Sequence, residues 1–222
     1  MGVCYGHDVP RMQAVVHTAT RITHTDLKAQ YGASAVALAA HFAAMRRNVS
    51  GEAYLAALQE LCGAGAGILP HVRAVVESVG RGESAERFAA AIGCAKGVSG
   101  FIYHTVPVAL HVWLRRQADF RGALLETVRL GGDTDTVAAV VGALVGTRVG
   151  RDGIPEEWLR DLSEWPRTPE WMERLGVQLA GLLPLPDPVE ALPLNAWKLL
   201  LRNALFIPLV LAHGLRRLLP PY

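Results

Sequence analysis

The sequence has little cysteine, little net charge and no long apolar run. Its three cysteines, Cys4, Cys62 and Cys94, are scattered and show no Cys-x-x-Cys spacing. That argues against a disulfide framework and a zinc site, and it fits a reducing, cytoplasmic compartment. A formal charge of +2 with 19% charged residues gives neither a nucleic-acid-binding composition nor a disordered one. No transmembrane segment is expected. The most membrane-like stretch, Ala204 to Ala212, is about half of the ~20 residues a spanning helix needs, and it contains Pro208. The first ten residues, MGVCYGHDVP, are neither basic nor apolar enough for a signal peptide. Strand-like alternation is missing and β-branched runs are short. Adjacent acids occur at Glu156-Glu157 alone, and there is no Asp-Asp pair.

Apolar residues make up 51% of the chain, and alanine, leucine and valine fall at helical spacing, so the expected fold is all-α. About nine to eleven helices are expected. The stripe Met12, Val15, Val16 and Ala19 predicts a helix to Arg21, closed by the polar turn Thr23 to Asp26. Tyr31 to Met45 reads as helical, and Ser50 and Ser84 read as caps of later helices. Pro70 and Pro107 are expected in first turns, the latter opening a helix to about Gln117. Phe120 to Arg129 is amphipathic, and Gly131 stops it. Pro166 and Pro169 are expected to break the chain, and residues 183 to 194 to form a rigid proline-rich connection. A last helix is expected from Ala196 to Leu218, ended by Pro220-Pro221. The expected organisation is a helical domain over residues 1–165. The connection and apolar C-terminal helix, 166–222, would pack on it.

One stretch concentrates chemistry. Gly131-Gly132-Asp133-Thr134-Asp135-Thr136 runs straight into the apolar helical sequence Val137 to Gly150. Two carboxylates and two hydroxyls thus sit where a loop enters a buried helix. Asp133 suits an N-cap and the positive end of the helix dipole. Asp135 lies two residues on, nearly opposite on a helical wheel, so the two acids converge only if the first turn is irregular, which the glycines permit. Such hard oxygen donors suit Mg²⁺, Mn²⁺ or Ca²⁺. A plain capped helix with a solvated acidic turn is the competing interpretation.

The string GGDTDTVAAVVGALVG resembles the C-terminal signature of the ADP-ribosylglycohydrolase family. Arg21-Ile22-Thr23-His24-Thr25-Asp26 resembles a second landmark of that family, a Thr-His turn lining the ligand cleft. Tyr103-His104-Thr105-Val106-Pro107-Val108-Ala109-Leu110 resembles a third, beside the adenosine part of the cleft. The resemblance implies a compact multi-helix orthogonal bundle that removes ADP-ribose from a modified protein side chain or a small conjugate. It implies two metal ions, Mg²⁺ or Mn²⁺. Asp133, Asp135 and Thr136 match metal ligands, with Asp133 and Asp135 at the catalytic centre. His24 would hydrogen-bond the diphosphate or ribose. Tyr103 would stack on the base or else pack in the core, Thr105 would line the cleft or cap its helix, and Ser99 lies in a loop suited to a phosphate.

The resemblance covers residues 2 to 160 well and the tail loosely. It corresponds to the C-terminal part of the family, so the bundle is expected to be N-terminally incomplete. The family's N-terminal Thr-Asp-Asp-Thr motif supplies further metal ligands, and no counterpart occurs here. An inactive ADP-ribose-binding or helical interaction protein is therefore the alternative to a hydrolase. A homodimer through the apolar tail, or a separate chain supplying the missing ligands, are the partner arrangements that follow.

Overall fold

The computed structural model describes residues 1–182 and 190–218. The chain divides into two compact units, Met1–Pro155 and Glu156–Tyr222. The first carries nine α-helices among the described residues: α1 Gly2–Tyr5, α2 Val9–Arg21, α3 Leu27–Ala44, α4 Gly51–Cys62, α5 Leu69–Gly80, α6 Ala85–Ala91, α7 Ile102–Arg115, α8 Phe120–Arg129 and α9 Thr134–Val149. Short polar side chains start many of them. Asp8, Asp26, Ser50, Ser84 and Asp119 each accept a hydrogen bond from the backbone N–H three residues on, at 2.8–3.2 Å. Each such cap is worth roughly 1 kcal/mol. Asp26 explains why α3 begins at Leu27, a turn earlier than its alanine-rich pattern suggests.

The centre of this unit is α7. Every residue from Thr105 to Leu114 is buried, and α3, α5, α6, α8 and α9 pack around it. Trp113 and Tyr54 meet edge to face at 5.6 Å, and the Tyr54 hydroxyl donates to the Ala35 carbonyl at 2.8 Å. Pro107 lies inside α7 rather than opening it. Proline there costs one backbone hydrogen bond, but ten buried residues, at roughly 1.5–3 kcal/mol per large apolar side chain, outweigh that loss.

Small residues let α3 be approached closely. A Cβ at Gly32 would lie 2.3 Å from Ile102 Cγ1, and one at Gly2 would lie 1.8 Å from the Ala37 carbonyl oxygen. Gly142 and Gly146 of α9 are in ordinary contact with Leu124 and Phe120 instead. Gly2 leads α1 onto α3, and Met12 and Val16 of α2 bury against Ala37. Residues 2–21 pack on α3, because glycine and alanine leave room for them.

At the far end of α9, Arg148 donates to the Arg47 carbonyl at 3.0 Å and to Asn48 Oδ1 at 2.8 Å. Gln117 exchanges two hydrogen bonds with the Val49 backbone, at 2.9 and 2.8 Å. The turn after α3, with Arg46 at φ 53°, is therefore fastened to the ends of α7 and α9.

The second unit contains α10 Glu156–Arg160, α11 Pro169–Leu182 and α12 Ala196–Arg216. Pro169 starts α11 instead of breaking the chain, as a first-position proline can. Glu164 Oε2 accepts from Arg202 Nη2 at 2.8 Å. Of the expected proline-rich connection, residues 183–189 lie outside the described residues, and 190–195 have no regular structure. Pro220-Pro221 also lie outside them.

Candidate functional site

Two glycine-containing loops meet at the start of α9. The Val98 N–H donates to the Gly131 carbonyl at 3.0 Å, and the Asp133 N–H donates to the Val98 carbonyl at 2.7 Å. This parallel bridge is an isolated one. Gly97, Gly131 and Gly132 have φ of 120°, 71° and 79°. A Cβ at Gly132 would lie 2.2 Å from the Val98 carbonyl oxygen, so contact of backbone on backbone requires glycine there. The bridge carries the loop before α7 onto the acidic motif. A Cβ at Gly100 would lie 2.9 Å from Asp133 Oδ2.

Asp133 occupies the N-cap position of α9, yet its side chain caps nothing. Its Oδ1 accepts from the Thr136 hydroxyl at 2.7 Å. Its backbone, at φ −78° and ψ 59°, is not helical, which lets the two acids converge. A side-chain hydrogen bond with Asp133 holds the Asp135 carboxyl below its ordinary range, and the backbone N–H groups of Thr136 and of Asp135 itself add to this. Asp135 therefore stays ionised at neutral pH, at the positive end of α9.

The motif adjoins a cleft of about 770 Å³ between α2, α3, α7 and α9, lined by Thr136 and Gly100. Its floor is apolar, formed by residues such as Val36, Ala37, Val106 and Val140. Its rim is polar, with Thr20, Thr23, His24, Asp26 and Lys28. A mostly apolar pocket with a few convergent polar groups is the usual form of a small-molecule site, and this volume suits a nucleotide-sized ligand.

The residues singled out from the sequence divide into two groups. His24, Thr105 and Thr136 line the cleft, and Asp133 and Asp135 stand beside Thr136. His24 is exposed, with Nδ1 2.9 Å from the Thr23 hydroxyl. Thr105 is no cap. It lies inside α7 and donates to the Ser99 carbonyl at 3.0 Å. Ser99 does not line the cleft, and its hydroxyl pairs with His104 Nδ1 at 2.8 Å. Tyr103 does not line the cleft; it packs on His71 at 4.5 Å and edge-to-face on Phe101 at 5.6 Å. The aromatic ring on the cleft is Phe101, with Lys28 Nζ 5.4 Å from its centroid. Sequence reasoning missed both. With α7 placed one turn too late, nothing distinguished Phe101 from Tyr103, and Lys28 looked like any surface lysine in a first turn.

Two carboxylates and a hydroxyl fit a hard divalent cation in kind, since all three donors are oxygen and two are anionic. In number they make part of one shell. Among the described residues, no group of three or more His, Cys, Asp or Glu side chains could hold a metal. Cys4, Cys62 and Cys94 are free thiols.

The ADP-ribosylglycohydrolase family model matches residues 1–188. The ADP-ribosyl-[dinitrogen reductase] glycohydrolase of Rhodospirillum rubrum is 39% identical over 64 residues, 29% of this chain and 21% of that protein. Human ADP-ribosylhydrolase ARH3 is 30% identical over 82 residues, 32% of this chain and 22% of that protein. ADP-ribosylarginine hydrolase Tri1 of Serratia proteamaculans is 35% identical over 78 residues, 35% of this chain and 21% of that protein. Each aligned stretch thus spans about a fifth of the relative's length.

The extent of the family match corrects two expectations. The chain was expected to resemble only the C-terminal part of the family, in an N-terminally incomplete bundle. The match instead begins at residue 1 and runs to 188, so the less covered part is 189–222. The all-α class stands. With most of its residues matched, this chain belongs to the ADP-ribosylglycohydrolase family.

Proposed function

We propose that the protein is a hydrolase that removes ADP-ribose from a modified protein side chain or a small conjugate, with help from a divalent cation. The main support is the convergence of Asp133, Asp135 and Thr136 at the edge of the 770 Å³ cleft. These three residues would hold Mg²⁺ or Mn²⁺. Such an ion, when bound, orients ribose hydroxyls and lowers the pKa of a coordinated water.

The chain's own groups account for the rest of the proposed mechanism. Cleavage of the bond between the anomeric carbon and its N or O leaving atom develops positive charge on the ribose. The ionised Asp135, and Asp133 beside it, stabilise that charge. Lys28 and His24 on the rim suit the anionic diphosphate, and Phe101 offers a face for the base. The three free thiols accord with a cytoplasmic setting.

One observation favours a second function, ADP-ribose binding without turnover. No third acidic or imidazole ligand joins Asp133 and Asp135 among the described residues. The test measures ADP-ribose release from arginine- and serine-linked substrates with and without Mg²⁺, alongside calorimetric titration with ADP-ribose. Hydrolysis predicts Mg²⁺-dependent release that falls at least about a hundredfold in Asp135→Asn, the lower end of what a charged group at a reacting centre supplies. Release unchanged in that variant removes the metal assignment. Binding without release establishes the second function, and neither binding nor release refutes both.

A further inference from the structure

The helix α12, Ala196–Arg216, has no buried residue, and all of it but Leu199 and Arg202, which are half-buried, is exposed. Trp197 is 79% exposed, Leu211 60% and Leu215 62%. Side chains of this kind are rarely left to water on such a scale. Their order along the helix is informative. Trp197, Leu200, Leu201, Ala204, Ile207, Leu211 and Leu215 recur at intervals of three and four and form one face. Lys198, Arg202, His213 and Arg216 follow at intervals of four, eleven and three, which places them together on another face. No acidic residue occurs from Ala191 to Leu218. The helix thus pairs an apolar face ending in tryptophan with a face whose charges are all basic, Leu209 lying among them.

We propose that α12 is a docking surface for an anionic phospholipid bilayer, lying in the plane of the interface with its Trp197–Leu215 face in the lipid. Charge decides the occupant. Lys198, Arg216 and Arg217 attract a negative surface and repel a second copy of the same helix, while Arg202 is paired with Glu164. Length and composition would let α12 cross a membrane, but its run without charge or histidine, Asn203 to Ala212, covers only about 15 Å of the ~30 Å hydrocarbon core. Spanning would also bury Lys198 and Arg202, whereas lying flat leaves both in the headgroup layer.

The test is flotation of the full chain with phosphatidylcholine vesicles containing either no phosphatidylserine or about 30% of it. Flotation is expected with the anionic vesicles only, and it should weaken with salt. Lys198→Glu with Arg216→Glu should lower partitioning at least about tenfold, as each basic group contributes severalfold. Leu200→Glu with Leu211→Glu should abolish it. Far-UV circular dichroism confirms that both variants stay folded, and exposed positions tolerate the change. Three results would overturn the proposal: no flotation with anionic vesicles, equal flotation without phosphatidylserine, or wild-type flotation of the leucine variant. A dimer in sedimentation that the leucine variant disrupts, without flotation, would assign the face to a second copy and likewise overturn it.

Discussion

Replacing Gly132 by alanine tests whether the bridge between the two loops builds the site. A Cβ there meets the Val98 carbonyl oxygen at 2.2 Å and the Val98 nitrogen at 2.5 Å. Both are backbone atoms and cannot swing aside as a side-chain tip would. The positive φ of 79° costs an alanine about 1 kcal/mol. Relief of the clash then breaks the hydrogen bonds from Val98 N to Gly131 O and from Asp133 N to Val98 O, at about 1 kcal/mol each. The expected loss is about 3 kcal/mol, a large share of ordinary domain stability. Gly82 is the control. Its φ is also positive, at 69°, but a Cβ there meets nothing within 4 Å, so Gly82→Ala should lose only about 1 kcal/mol. Urea unfolding of both variants isolates the cost of the close approach. ADP-ribose affinity should fall in Gly132→Ala and hold in Gly82→Ala. Equal losses in the two variants would refute the bridge as the element that places Asp133.

Two further outcomes concern the core. His111 is buried, stacked on Phe88 at 4.6 Å, and 3.2 Å from the Ser78 hydroxyl. Burial, aided by the Arg115 charge, pushes its pKa down to about 4. The unfolded chain, with histidine near 6.5, then binds the extra proton between those values. Stability from His111 is full above pH 6.5 and should fall by about 3 kcal/mol as the pH drops toward 4. Urea midpoints across that range should show a shallower decline in His111→Gln, and an identical decline would contradict this account. Tyr54→Phe removes the donor to the Ala35 carbonyl and should cost about 1–2 kcal/mol in the same assay at neutral pH. No measurable loss would show that the hydroxyl carries no net stability.

Local chemistry made parts of this molecule readable in advance. Ser50, Ser84 and the polar turn ending in Asp26 start helices because their short oxygens can reach the third N–H on. The irregular turn at Gly131-Gly132 follows from the geometry that glycine alone allows. What escaped prediction depends on distant partners. Nothing near Val98 reveals that its carbonyl receives the Asp133 N–H. Burial of ten successive residues in α7 is a tertiary fact, and it overrides the tendency of Pro107 to open a helix. The same error of one turn left Phe101 outside the helix signal, so Tyr103 was singled out while Phe101, which lines the cleft, was not.

The ties at the two ends of α9 have a mechanical consequence. Asp133, at its entrance, is joined to the Val98 loop, while Arg148 near its exit is joined to the turn after α3. A rod clamped at both ends can neither slide along its axis nor roll about it without breaking a clamp. Adjustment of the acids to an incoming ligand must then come from side-chain rotation, over a fraction of a nanosecond to nanoseconds, and not from slower movement of the helix.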